Sequence, residues 1–182
     1  MYSQQLPYSE SYWVVPGKLM AGEYPGECVE ELTRQRVVSL LRSGLNSFID
    51  LIRPSDSFHA YRDVLEEEAA EFGVEVKYQN FPIEDFSTPS REQMNLILDE
   101  IEKQVHEGKQ VYVHCLAGIG RTGMVVGCYL VRKGATGSDA LQRITELRKD
   151  TSSWWHRSPE TQEQVDFILN WDGAKPGSDT QG

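Results

Sequence analysis

Apolar positions recur along the chain in two rhythms, and their alternation predicts strands separated by helices. Trp13-Val14-Val15 and Leu19-Met20-Ala21 are short apolar runs flanking Pro16-Gly17, which predicts a hairpin. Glu23-Tyr24-Pro25-Gly26 turns the chain into a helical pattern from about Cys28, with an interruption expected before Val37 and Gly44 suited to its C-terminal end. Phe48-Ile49-Asp50-Leu51-Ile52 reads as a buried strand. A helix over 57–72 stops at Gly73, and alternation over 74–78 predicts another strand. That strand becomes a loop through Phe81-Pro82-Ile83-Glu84-Asp85-Phe86-Ser87-Thr88-Pro89.

In the second half, Met94, Ile97, Leu98 and Ile101 share one face of a helix that Ser90 and Gln93 would open as a capping box. Gly108 ends it. Residues 110–114 form the next strand, and three helices follow over 122–132, 138–149 and 159–171. Ser158 is expected to cap the last, with Pro159 at its first position. The pattern predicts an α/β fold: a central, largely parallel, twisted sheet of about five strands, with helices on both faces. One domain over 1–171 is expected, with a disordered tail over 172–182.

At 182 residues the chain can bury a core without disulfide staples. Cys28, Cys115 and Cys128 have neither disulfide-framework nor zinc-site spacing, which suits a reducing, cytoplasmic setting. No secretory leader is visible over residues 1–10, and no apolar run approaches the roughly 18 residues of a membrane span. A net charge of −10 disfavours nucleic acid or an anionic membrane as partner. A phosphate-bearing ligand then needs a locally positive pocket.

His114-Cys115-Leu116-Ala117-Gly118-Ile119-Gly120-Arg121-Thr122-Gly123 can supply one. The five residues between cysteine and arginine include two glycines, and the segment joins an apolar strand to a helix. Such a loop can turn its backbone N–H groups toward a phosphate, with the sulfur at its base. The same dipoles and the helix N-terminus favour a thiolate. Gly118 and Gly120 allow close approach of backbone to ligand. Arg121 can hold two phosphoryl oxygens where lysine offers a point charge. Thr122 is placed to donate to the sulfur. Alone, Cys115 would read as a buried structural cysteine, the reading kept for Cys128 and Cys28. Glycine, arginine and threonine in register change that.

A thiolate nucleophile needs an acid for the leaving oxygen and a base for water. Asp85, on the loop before Pro89, is the first choice, and Glu84 is its neighbouring rival. His114 is expected to hold the loop through backbone carbonyls. His59, His106 and His156 read as surface residues. Trp154-Trp155 is either core packing or an aromatic rim for substrate or partner.

His114 through Gly123 resembles the HCxxGxxR(S/T)G loop of the cysteine-based protein tyrosine and dual-specificity phosphatases. The resemblance covers about 13–171 and maps the family's mobile acid loop onto Ile83 to Pro89. The 30-residue spacing from Asp85 to Cys115 is similar to the smaller branch, with the kinase-associated phosphatase and small prokaryotic relatives. It implies a phosphocysteine intermediate formed on Cys115, with Asp85, Arg121 and Thr122 assisting. Residues 116–121 (Leu116, Ala117, Gly118, Ile119, Gly120, Arg121) would bind the phosphate. It implies no metal or other cofactor, and a phosphorylated protein or peptide as substrate; a monomer is expected. The chain lacks the phosphotyrosine-recognition loop of the large enzymes, which implies a shallower pocket. Leu116 and Ile119 are apolar where phosphoinositide-cleaving relatives carry lysines, and Ile83 replaces the acid-loop tryptophan. Where many members place a water-orienting glutamine, this chain aligns Glu160, with Gln162 or Gln164 as substitutes.

Overall fold

The computed structural model describes residues 6–56 and 60–173. Strands β1 (Ser11–Val15) and β2 (Leu19–Gly22) form the expected hairpin, turned at Gly17 with a φ of 68°. Strands β3 (Ser47–Asp50), β4 (Lys77–Asn80) and β5 (Val111–His114) complete a sheet of order β1-β2-β5-β3-β4, parallel except for β1. The sheet is therefore largely parallel, as the pattern predicts. Pairing places Gly22, Asp50 and His114 in one row at the carboxyl edge. Ligands of open α/β sheets bind beyond that edge.

Helix α1 (Glu30–Arg42) runs unbroken. The expected interruption is absent because Thr33, Val37, Leu40 and Leu41 form one continuous buried face. The helix is closed by Gly44, at a φ of 89°. Helix α2 (Arg62–Phe72) starts later than expected, after a 3₁₀ turn at Pro54–Asp56, and ends at left-handed Gly73. Residues 57–59, where its start was expected, lie outside the described residues, as does the tail beyond residue 173. Strand β4 lies three residues further on than the alternation suggests. Val74 N still donates to Ala69 O to close α2, and pairing of Ser47 with Lys77 sets the register.

Ser90 caps α3 (Arg91–His106) by accepting from Gln93 N, but the Gln93 side chain donates to Pro82 O instead of completing a box. Helices α4 (Gly120–Arg132) and α5 (Gly137–Leu147) follow. α6 (Gln162–Leu169) begins three residues later than expected. Thr161 caps it, in a reciprocal box with Gln164, because the Ser158 hydroxyl is spent on Ile119 O at 2.7 Å.

Helices α1 and α2 pack on each other, while α4 sits among α3, α5 and α6 against β2 and β5. Leu19, Met20, Phe48, Ile49, Val111, Val113, Met124, Val125 and Cys128 are fully buried. Burying each large side chain contributes roughly 1.5–3 kcal/mol. Gly127 lets α6 close on α4, since a Cβ there would meet Ile168. Among the described residues, no helix is long and apolar enough to cross a membrane.

Candidate active site

Strand β5 ends at His114 and α4 starts at Gly120, so the glycine-rich segment forms a loop beyond the carboxyl end of the central strand. Gly118 has a φ of 70°, and a Cβ on it would lie 2.5 Å from the Gly22 carbonyl carbon. Both facts require glycine. Leu116 O accepts from Tyr24 N at 3.0 Å, and Ile119 O accepts from Ser158 Oγ at 2.7 Å and Gly123 N at 3.1 Å. These bonds fix the loop's peptide planes from outside. Cys115 is 3% exposed at the loop's base. Gly118, Ile119 and Gly120 are buried, while Leu116 and Ala117 face solvent.

Arg121, in the first turn of α4, is almost fully buried. Its Nη1 donates to Asp56 Oδ2 at 2.9 Å and to Ile83 O at 3.0 Å, and its Nη2 lies 3.1 Å from Asp85 Oδ1. Its Nε has no partner. A buried guanidinium with an unpartnered Nε, and an Nη2 paired only to a half-exposed loop carboxylate, is a ready anion receptor. Sequence reasoning missed Asp56, whose only signal is Arg53 three positions earlier, just beyond the β3 end. Burial raises the Asp56 carboxyl, but hydrogen bonds from Arg53 and Arg121 outweigh this and hold it below the usual range.

Asp85 lies on a tight loop in which Ser87 N donates to Glu84 O and Phe86 adopts a φ of 59°. Four contacts seat this loop. Besides Arg121 on Ile83 O, Gln164 Nε2 donates to Ser87 O at 3.2 Å, Thr88 Oγ1 to Glu163 at 3.2 Å, and Arg53 to Glu84 at 3.1 Å. Glu84 thus points to Arg53, and Asp85 to Arg121.

His114 is fully buried at the end of β5. Its Nε2 lies 2.7 Å from the Tyr61 hydroxyl, and its ring stacks on Tyr112. Burial pushes its pKa down against the opposing pull of Asp50, which favours the neutral imidazole. Asp50, which pairs with His114 across the sheet, accepts from Tyr78 Oη and Ile52 N. Thr122 Oγ1 is buried without a hydrogen-bond partner, so no bond joins it to the sulfur.

Of the remaining candidates, Gln164 is buried and Gln162 lies on the exposed face of α6, paired with Arg157 and Asp166. Glu160 lies beside Gly120. Trp154 and Trp155 are 62% and 67% exposed, which excludes core packing. Arg148, buried below them, bonds His156 O and Ser153 and holds that segment outward. Cys28 is exposed and Cys128 buried, so only Cys128 packs structurally. His106 and His156 are surface residues, and His59 lies outside the described residues.

A profile described as "Polymorphic toxin system, DSP-PTPase phosphatase" matches residues 30–135, more than half of the chain. An uncharacterized protein of Methanocaldococcus jannaschii is 30% identical over 104 residues, covering 57% of this chain and 65% of that one. A crystal structure of Tk-PTP in its active form superposes with a TM-score of 0.69 at 25% identity, covering 92% of this chain and 99% of that one. The kinase-associated phosphatase shares the fold, with a TM-score of 0.71 at 16% identity over 91% of this chain and 94% of that one. The chain spans between 32% and 65% of the length of three curated relatives that it resembles.

Proposed function

The chain belongs to the dual-specificity branch of the cysteine-based phosphatases, and on that premise we propose that it hydrolyses phosphotyrosine, and phosphoserine or phosphothreonine, in proteins or peptides through a phosphocysteine. One observation carries this reading. A buried cysteine, a buried arginine with an unpartnered Nε and a loop carboxylate 3.1 Å from that arginine converge at the carboxyl edge of the sheet.

In this mechanism the phosphoryl group enters the 116–121 loop, and Arg121 exchanges Asp85 for two phosphoryl oxygens. The Cys115 sulfur forms a bond to phosphorus as the ester P–O bond breaks. Asp85, released from the arginine, gives a proton to the leaving oxygen. Thr122, unpaired in the resting chain, has its hydroxyl free to donate to the departing sulfur in the second step. The chemistry assigns no role to a metal. An unprotected thiolate suits a reducing compartment such as the cytoplasm.

We also assign residues up to Trp171 to one phosphatase domain, since Trp171 is buried and stacks on Phe167. The exposed Leu116, Phe86, Trp154 and Trp155 favour polypeptide over a small polar phosphate ester. Purified protein should release phosphate from phosphopeptides faster than from sugar phosphates or phosphoinositides, without added metal. The opposite ranking refutes the substrate class, and a metal requirement refutes the mechanism.

A further inference from the structure

Trp154 and Trp155 stand in water on a turn that is built to hold them there. Arg148, buried at the end of α5, spends its guanidinium inside this turn. Its Nη1 donates to His156 O at 2.8 Å, and its Nη2 to Ser153 O at 3.2 Å and Ser153 Oγ at 2.9 Å. Thr151, also buried, donates to Arg148 O at 2.8 Å, and Ser153 Oγ donates to Glu10 Oε2 at 2.6 Å. His156 N closes the turn on Ser153 O at 2.9 Å. The ring centroids of Trp155 and His156 are 3.7 Å apart, so the imidazole backs one face of that indole. A buried cation committed to a short surface segment, with two large apolar rings left outside, marks a prefixed contact surface.

The turn flanks the phosphate seat. Just beyond Trp155 in the chain, Ser158 Oγ donates to Ile119 O at 2.7 Å, the bond that fixes one wall of the 116–121 loop. At about 3.6 Å per residue or less, Trp155 lies within about 11 Å of Ser158. An extended substrate covers that distance in about three residues. His156 is within electrostatic reach of Glu160, whose Oε2 lies against Gly120 of the same loop. Next in the chain, Arg157 bonds the neutral amide oxygen of Gln162 at 2.9 Å, and no carboxylate pairs with it among the described residues. An uncompensated cation in a chain of net charge −10 attracts acid and repels lysine or arginine at this spot.

We propose that this turn is a specificity platform for the polypeptide around the phosphoresidue. Trp154 and Trp155 take an apolar side chain within about three residues of it, and Arg157 takes an acidic residue beside that side chain. Indole rings supply large contact area at little conformational cost, and the turn is ordered before substrate arrives. The cation then sets which flanking charge is accepted. The inference rests on the polypeptide reading above and adds which sequences are preferred.

Phosphotyrosine peptides of otherwise alanine sequence test it, carrying Leu-Asp, Leu-Lys or Ala-Ala at each position within three residues on either side. Turnover of p-nitrophenyl phosphate is the internal reference. Wild type should favour one Leu-Asp register over Ala-Ala by about 10-fold in kcat/KM, mostly through KM, and Leu-Lys should lose much of that gain. Taken as a ratio to the aryl phosphate value, the gain should vanish when Trp154→Ala and Trp155→Ala are combined, and survive in large part in Trp155→Phe. Arg157→Gln should bring Leu-Asp and Leu-Lys together. Equal turnover of all peptides by wild type overturns the proposal and leaves the phosphatase reading intact, as does a preference that the double alanine variant keeps. Hydrolysis of the aryl phosphate with no phosphopeptide turned over removes the polypeptide reading together with the proposal. Indole fluorescence that shifts to the blue on phosphatidylserine vesicles without any peptide preference assigns the turn to lipid, and a dimer that the double variant dissolves assigns it to a second copy; either overturns the proposal.

Discussion

Arg121 Nη1 reaches Asp56 Oδ2 at 2.9 Å across 65 residues of sequence, and this contact orients the guanidinium before any phosphate arrives. Asp56 is in turn gripped by Arg53, so the buried cation is held by a carboxylate outside both the Cys115 loop and the Asp85 loop. Asp56→Asn keeps the shape and removes the charge. It should destabilise the fold by roughly 1–3 kcal/mol, since a buried charge loses part of its compensation. It should also raise KM more than it lowers kcat. Denaturant melts and steady-state kinetics test this, and an unchanged midpoint together with unchanged KM contradicts it.

Arg121→Lys keeps one positive charge and loses the fork. Lysine cannot span two phosphoryl oxygens while also bonding Asp56 and Ile83 O, so kcat should fall on the order of 10²-fold or more. A loss under fivefold in phosphopeptide turnover would show that net charge alone suffices.

Gly118→Ala tests the loop's geometry. The added methyl would lie 2.7 Å from Gly22 O and 2.8 Å from Glu23 N, at a φ of 70° that alanine disfavours. Backbone on both sides has no room to give. The loop should lose its shape and activity should fall by orders of magnitude, with far-ultraviolet circular dichroism unchanged. Retained turnover would mean that the loop is less constrained than its contacts indicate.

Glu23 gives a pH signature. Burial pushes its carboxyl up to about 7, against the opposing charge of Arg36, from an unfolded value of 4.5. Between those values the folded chain holds a proton that the unfolded chain has released. Stability should therefore fall as pH rises from about 4.5 to 7, by at most ~1.4 kcal/mol per pH unit. Glu23→Gln should flatten that slope. A slope of the same size in the variant assigns it elsewhere.

The strand, loop and helix around Cys115 were the most legible part of this molecule in its sequence. Hydrophobic rhythm fixed strand and helix types, because strands buried on both faces read as apolar runs and helices close on glycine at positive φ. The cysteine loop was legible because glycine and arginine are required at set positions along one short segment. Boundaries were less so. The start of β4 depends on pairing with β3, and the start of α6 depends on the Ser158 hydroxyl being drawn to Ile119 O. Neither partner is local. Asp56, Tyr61 and the clamp from Gln164 to Ser87 escaped for the same reason: each acts across dozens of residues, and none has a residue type that announces it. Trp154 and Trp155 show the converse, since aromatic residues suggest a core while buried Arg148 holds their segment in solvent.

The central claim is that the Cys115 sulfur carries the phosphoryl group during turnover. Phosphopeptide labelled in its phosphate, mixed with enzyme and quenched in acid within the first turnovers, tests this most directly. Label is expected on the peptide that contains Cys115 and none on Cys115→Ser, which should also release no phosphate. Label on another residue, or phosphate release by Cys115→Ser, contradicts it.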